Sequence, residues 1–184
     1  HHTAMKHAIT PRREMGIRTL FNLLGPLTNP AFAPHQLLGV FDAHWLQPLA
    51  QVLQQLGSQH VLVVHSEDGL DEISIAAPTQ VIELKNNNFQ NYTITPEQFG
   101  LTRHSLDNIQ VASVNDSVMM VHSVLDNQDS PAKDVVLLNA GAAIYAADLA
   151  NDLSQGIAIA RTVLENGQAR AKLTALVQFT QHFN

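Results

Sequence analysis

Cysteine is absent from the 184 residues, which excludes disulfide frameworks and thiolate metal sites and suits a cytoplasmic protein. Aromatic residues make up 5% and charged residues 14%, with 10 Lys and Arg against 16 Asp and Glu. The formal net charge of −6 argues against a nucleic-acid-binding surface, which needs clustered cations. No apolar run approaches the length of a membrane span, and the polar, histidine-rich start lacks the apolar segment of a secretory signal. There is no glycine-rich phosphate loop, no G-x-S-x-G elbow and no Ser-His-Asp order. The first residue is His1 rather than Met, so a fragment is expected. What remains is a 45% hydrophobic share, enough for one domain with a sizeable core.

The stretch Ala4 to Pro30, AMKHAITPRREMGIRTLFNLLGPLTNP, reads as a helix with a Gly-Pro exit. Thr10-Pro11 is a helix-start pair, Ile17, Leu20, Phe21 and Leu24 share a face, and Gly25-Pro26 is expected to stop the helix. Apolar runs at Gln36–Phe41 and His60–Val64 read as buried strands around a helix carrying Leu46, Leu49, Ala50 and Leu53 on one face. That βαβ rhythm predicts an α/β fold, with a largely parallel sheet flanked by helices. A short strand is expected from Ile73, then a hairpin of Thr79–Leu84 and Phe89–Ile94 turning at Asn86-Asn87-Asn88. Thr95-Pro96-Glu97 opens a short helix ending at Gly100. Arg103 to Val114 reads as an irregular surface connection, and the chain beyond it as helical, with Asn115 as a cap and Val118, Val121, His122 and Leu125 on one face. Helices opening at Pro131 and at Asp152-Ser154 follow, and a last one reaches the carboxy terminus.

Two groups of residues are candidates for chemistry. Arg12 and Arg13 fall in the first turn of the opening helix, where the helix dipole already favours anions, and a guanidinium fork matches a carboxylate or phosphate. The competing reading is a solvated pair beside Glu14. Asp68-Gly69-Leu70-Asp71-Glu72 follows the HVLVV strand directly, where ligands bind in parallel α/β sheets. Asp71 and Glu72 match Mg²⁺, which takes one or two carboxylates and keeps several waters. The competing reading there is an acidic turn in solvent. His1, His2 and His7 match no zinc signature. Met119-Met120 and the Asn139–Ala147 run, NAGAAIYAA, read as core packing without chemistry.

The chain as a whole resembles the anthranilate phosphoribosyltransferase family. The resemblance rests on AMKHAITPRREMGIRTLFNLLGPLTNP, QLLGV, VVHSEDGLDEIS, ITPEQFGL and VLLNAGAAIYAA, in that order and spacing. It implies transfer of a phosphoribosyl group from phosphoribosyl pyrophosphate to the amine of anthranilate in tryptophan biosynthesis, with Mg²⁺ on the diphosphate. It further implies that Arg12 holds the anthranilate carboxylate, that His2 and Pro26 line the same channel, and that Asp71 and Glu72 bind the metal.

Where that family shows Tyr-His-Pro-Ala, this chain has His1-His2-Thr3-Ala4. The family's G-T-G-G-D and Lys-His-Gly-Asn elements, which hold the phosphoribosyl substrate, are absent and precede this stretch in the family. The expectation is therefore residues 1–30 as the tail of an amino-terminal helical domain plus linker, and 31–184 as the α/β domain. Homodimerisation through the helical domain is expected of the full-length enzyme. A pyrimidine nucleoside phosphorylase and a nucleic-acid-binding paralogue are the alternatives, the second disfavoured by the acidic balance.

Overall fold

The computed structural model describes Glu14 and residues 21–182. The first described helix, α1 (Phe21–Leu27), includes Pro26 rather than stopping before it. Pro26 cannot donate to the Asn22 carbonyl, and the helix closes one residue later, leaving its last carbonyls without helical donors. Thr28 serves two of them, its hydroxyl donating to the carbonyls of Leu24 at 2.9 Å and Gly25 at 3.3 Å.

Strand β1 (His35–Gly39) leads through a 3₁₀ turn into α2 (Leu46–Gln55). Asp42 caps that turn by accepting from the His44 N–H at 2.9 Å. Helix α2 buries Leu46, Leu49, Ala50 and Leu53, the face expected from their spacing, and the chain leaves it through Gly57 at a φ of 89°. Strand β2 (His60–Ser66) then pairs with β1 in parallel. A long loop, 67–78, returns the chain to β3 (Thr79–Lys85), antiparallel to β2. Asn86 and Asn87, both at positive φ (50° and 66°), turn it into β4 (Asn88–Ile94), antiparallel to β3. Two left-handed residues in a two-residue loop match the right-handed twist of the strands they join.

The α/β class holds, but the strands are not largely parallel. Among the described residues the sheet is mixed, in the order β1-β2-β3-β4, with parallel pairing confined to β1 and β2. Parallel neighbours need a crossover, which α2 supplies once; the later connections contain no α-helix. The strand expected from Ile73 does not form either. The Ile73 backbone is bonded to the Asn139 side chain, and the Ser74 N–H donates to Thr79 Oγ1 at 3.1 Å, so neither joins a ladder.

Four helices follow: α3 (Val114–Leu125), α4 (Pro131–Ala146), α5 (Leu153–Glu165) and α6 (Gln168–Gln181). Ser113, not Asn115, caps α3, its hydroxyl accepting from the Asp116 N–H at 3.1 Å. Both faces of the sheet are covered. Val61, Val63, Ile82 and Leu84 meet α2 and Leu23 of α1; Leu62, Val64 and Val81 meet α4 and α5. Strand β2 thus contributes alternate residues to two cores, which is why it reads as a continuous apolar run. Helices α4 and α5 approach backbone to backbone at Gly141 and Gly156. A Cβ on Gly141 would sit 2.7 Å from Ile157 Cα, so the small residues of the NAGAAIYAA run serve close packing there. The packing expectation fails at Met119, which is 63% exposed, and the α3 face is largely open, with Val118 and Val121 about half exposed. No described helix is long and apolar enough to cross a membrane.

Candidate functional site

The loop between β2 and β3 carries the acidic pair, and its shape follows from its residues. Gly69 takes a φ of 92° in a tight turn, and its N–H donates to the Ser66 carbonyl at 2.9 Å. Asp68 braces the turn: Oδ1 accepts from the Leu70 N–H at 3.2 Å and Oδ2 from the Ser74 hydroxyl at 2.5 Å. Burial raises the Asp68 pKa, but the hydrogen bonds from Ser74, Ser66 and the Leu70 N–H outweigh it, so its carboxyl titrates below the usual aspartate range. The brace is therefore complete above the unfolded-state pKa and is lost as the pH falls through the lower folded value. Ile73 and Ile75, at 3% and 0% exposure, anchor the end of the loop in the core.

Between these fixed ends, Asp71 and Glu72 are exposed. They line a cleft of about 310 Å³ with Leu37, Gly39, Val64 and Asn139, beyond the carboxyl ends of β1 and β2. Gly39 permits this arrangement. A Cβ there would overlap the Asp71 carbonyl oxygen, so any side chain on β1 at that position would push the acidic loop away. The donor set fits Mg²⁺. Two adjacent hard carboxylates in an open cleft leave room for retained waters and a phosphate-bearing ligand, and among the described residues no side-chain nitrogen or sulfur lines the cleft except the Asn139 amide.

A second cluster lies at the opposite, amino end of the parallel strands. His60, 1% exposed, has Nδ1 2.7 Å from Asp148 Oδ1 and Nε2 3.2 Å from Glu83 Oε1. Glu83 also accepts from the hydroxyls of Tyr145 at 2.7 Å and Tyr92 at 2.8 Å. Burial, reinforced by the neighbouring Glu83 carboxyl, pushes both phenols well above their ordinary pKa. His35, His60 and Asp148 bring ligand atoms within 4.8 Å of one another, a spacing a metal could bridge. Two contacts speak for a charge network instead. His35 Nδ1 bonds the Ala146 carbonyl at 2.8 Å, and Lys85 Nζ stands 3.4 Å from Asp148 Oδ1. None of this network is visible in the sequence, where Tyr145 falls in a run assigned to packing. Its partners come from β1, β2, β3, β4 and the end of α4, and no local pattern joins them.

The structure thus brings Asp71 and Glu72 together in one cleft. Pro26, half-buried in the last turn of α1, is not among the residues that line it. Arg12 and His2 lie outside the described residues. Asn139 joins the cleft as a residue the sequence reading missed; the signal available was a lone amide within an apolar helix.

The chain is similar to known proteins over nearly its whole length. The model of the glycosyl transferase family, a/b domain, matches residues 1–170. The chain is 61% identical over 183 residues to the anthranilate phosphoribosyltransferase of Methylococcus capsulatus, covering 100% of this chain and 54% of that protein. The crystal structure of anthranilate phosphoribosyltransferase from Thermus thermophilus superposes with a TM-score of 0.90 at 40% identity, over 98% of this chain and 53% of that one. The Saccharomyces cerevisiae enzyme in complex with PRPP and Mg gives a TM-score of 0.81 at 25% identity, over 94% of this chain and 50% of that one. The chain therefore spans about half the length of the relatives it matches.

Proposed function

The chain belongs to the glycosyl transferase family by its a/b domain, and from that premise we propose that it is the carboxy-terminal part of an anthranilate phosphoribosyltransferase acting in tryptophan biosynthesis. The observation that carries this reading is the exposed Asp71-Glu72 pair, set in a cleft beyond the carboxyl ends of β1 and β2. In the reaction the amine nitrogen of anthranilate forms a bond to the anomeric carbon of phosphoribosyl pyrophosphate. The bond from that carbon to the diphosphate oxygen breaks, pyrophosphate leaves with the electron pair, and the amine gives up a proton.

Asp71 and Glu72 would hold Mg²⁺, which when bound supplies positive charge to the departing diphosphate. Arg12 orients the acceptor by pairing with its carboxylate, and His2 and Pro26 line the acceptor channel. On this reading residues 1–30 are the tail of an amino-terminal helical domain plus linker, and 31–184 form the α/β domain. The phosphoribosyl-binding loops and the homodimer contact belong to the preceding half, and the enzyme works in the cytoplasm.

Anthranilate is fluorescent, so its consumption reports the reaction directly. A full-length protein containing this chain should consume anthranilate in the presence of phosphoribosyl pyrophosphate and Mg²⁺. The 184 residues alone should turn over at least about 100-fold more slowly, because the diphosphate sugar is not positioned. Near-equal rates would overturn the division of labour; no consumption by the full-length protein would overturn the function. Within that assay Arg12→Ala should raise the KM for anthranilate roughly 30-fold or more, through the loss of about 2–3 kcal/mol from one charge-assisted fork. An unchanged KM removes Arg12 from the acceptor site.

A further inference from the structure

Asn139 sits on α4, 66 residues from the loop it contacts, among residues chosen for small size. Its amide makes three hydrogen bonds. Oδ1 accepts from the Ile73 N–H at 3.0 Å, and Nδ2 donates to the Ile73 carbonyl at 2.9 Å and to the Val135 carbonyl at 3.0 Å. The first bond has a consequence beyond Ile73. A peptide unit is planar, so the N–H of Ile73 shares one rigid plane with the carbonyl of Glu72. Fixing that N–H fixes the plane from which Glu72 departs.

On the other side, the Asp71 carbonyl rests against Gly39 of β1 with no room for a Cβ between them. The two exposed carboxylates therefore stand between two backbone fixtures, one on the sheet and one on a helix. Asn139 also lines the cleft itself, beside both acids. An apolar side chain at position 139 would leave the buried Ile73 N–H and carbonyl without these partners, so the amide does more than fill space.

We propose that Asn139 is a positioning residue for the acidic pair, holding Asp71 and Glu72 at the spacing a divalent cation requires. The proposal rests on the reading of that pair as a metal site. Groups that hold a metal's ligands in place typically change metal affinity about 10–100-fold when removed.

The test uses Mn²⁺ as a paramagnetic stand-in for Mg²⁺, with free ion counted by electron paramagnetic resonance during titration of the full-length protein. Asp71→Asn with Glu72→Gln defines the background from every other site, histidines included. Asn139→Ala should weaken the difference from that background about tenfold. Leu137→Ala, at a buried residue of the same helix that does not line the cleft, should weaken folding while leaving Mn²⁺ affinity within about twofold.

If the double variant binds Mn²⁺ as the parent does, the metal reading of the pair fails. If the double variant loses binding while Asn139→Ala keeps it, the positioning role fails and the pair stands. Asn139→Ser, small enough for the same space, replaces the alanine variant should that not fold, with the same expected loss. Failure of both to fold assigns Asn139 to the fold alone and overturns the proposal.

Discussion

Exchanging Asp71 for asparagine and Glu72 for glutamine together should lower the Mg²⁺-dependent turnover of the full-length enzyme at least about 100-fold, while its melting temperature stays within about 2 °C. The split follows from where the two side chains stand. Both are exposed at the mouth of the cleft, and neither is among the residues of the two cores. Surface substitutions of that kind cost at most about 0.5 kcal/mol, so the fold has little to lose. The reaction has much more at stake, because a diphosphate cannot leave a carbon centre readily without positive charge beside it. Steady-state rates across a Mg²⁺ series, with calorimetry on the same samples, check both halves. Turnover and metal dependence that survive the double exchange would make the pair a solvated turn.

Glu83→Ala should act in the opposite sense, on stability first. Glu83 is 5% exposed and accepts from Tyr145, Tyr92 and His60, so its removal strands three polar groups around one cavity. Each buried polar group left without its partner costs about 1–3 kcal/mol, and a total of about 3–5 kcal/mol lowers the melting temperature of a domain of this size by roughly 6–20 °C. Glu83→Gln keeps one acceptor oxygen and should lose less than half as much. Thermal unfolding of the three proteins in one buffer decides the matter. Equal melting temperatures for parent and alanine variant would show the tyrosines and His60 satisfied by other partners.

The contrast between these two positions explains what could be seen in the sequence. The buried face of α2, the Asn86-Asn87 turn and the helix start at Thr95-Pro96 are written in residues a few positions apart, where side-chain period, left-handed tolerance and the fixed φ of proline act directly. The acidic pair, proposed as a metal site, stands out for the same reason, being contiguous and in the loop that follows an apolar strand. Strand direction was not, since an apolar run is equally suited to parallel and antiparallel neighbours and only the connections differ. Nor was the Glu83 network, whose bonded partners are separated by up to 111 residues. Gly25-Pro26 marks the end of α1 to within two residues, the helix closing at Leu27 directly after the proline. Met119 misled because an apolar residue on a helix does not itself say which side of that helix will be covered.

Helix α4 carries Asn139 at one end of the sheet and Tyr145 near the other, with Gly141 locked against α5 between them. Each residue added to a helix advances it by about 1.5 Å and turns everything beyond by about 100°. One inserted or deleted residue between 139 and 145 would therefore unseat at least one of the three contacts, whichever end stayed in place. The connection between Leu101 and Ser113 is tied down at fewer points, by the His104 N–H on the Ile75 carbonyl and by Ile109 against the core. Across homologous chains, length variation should accumulate in that stretch and be missing from this half of α4, so this interval should act as a ruler for the domain.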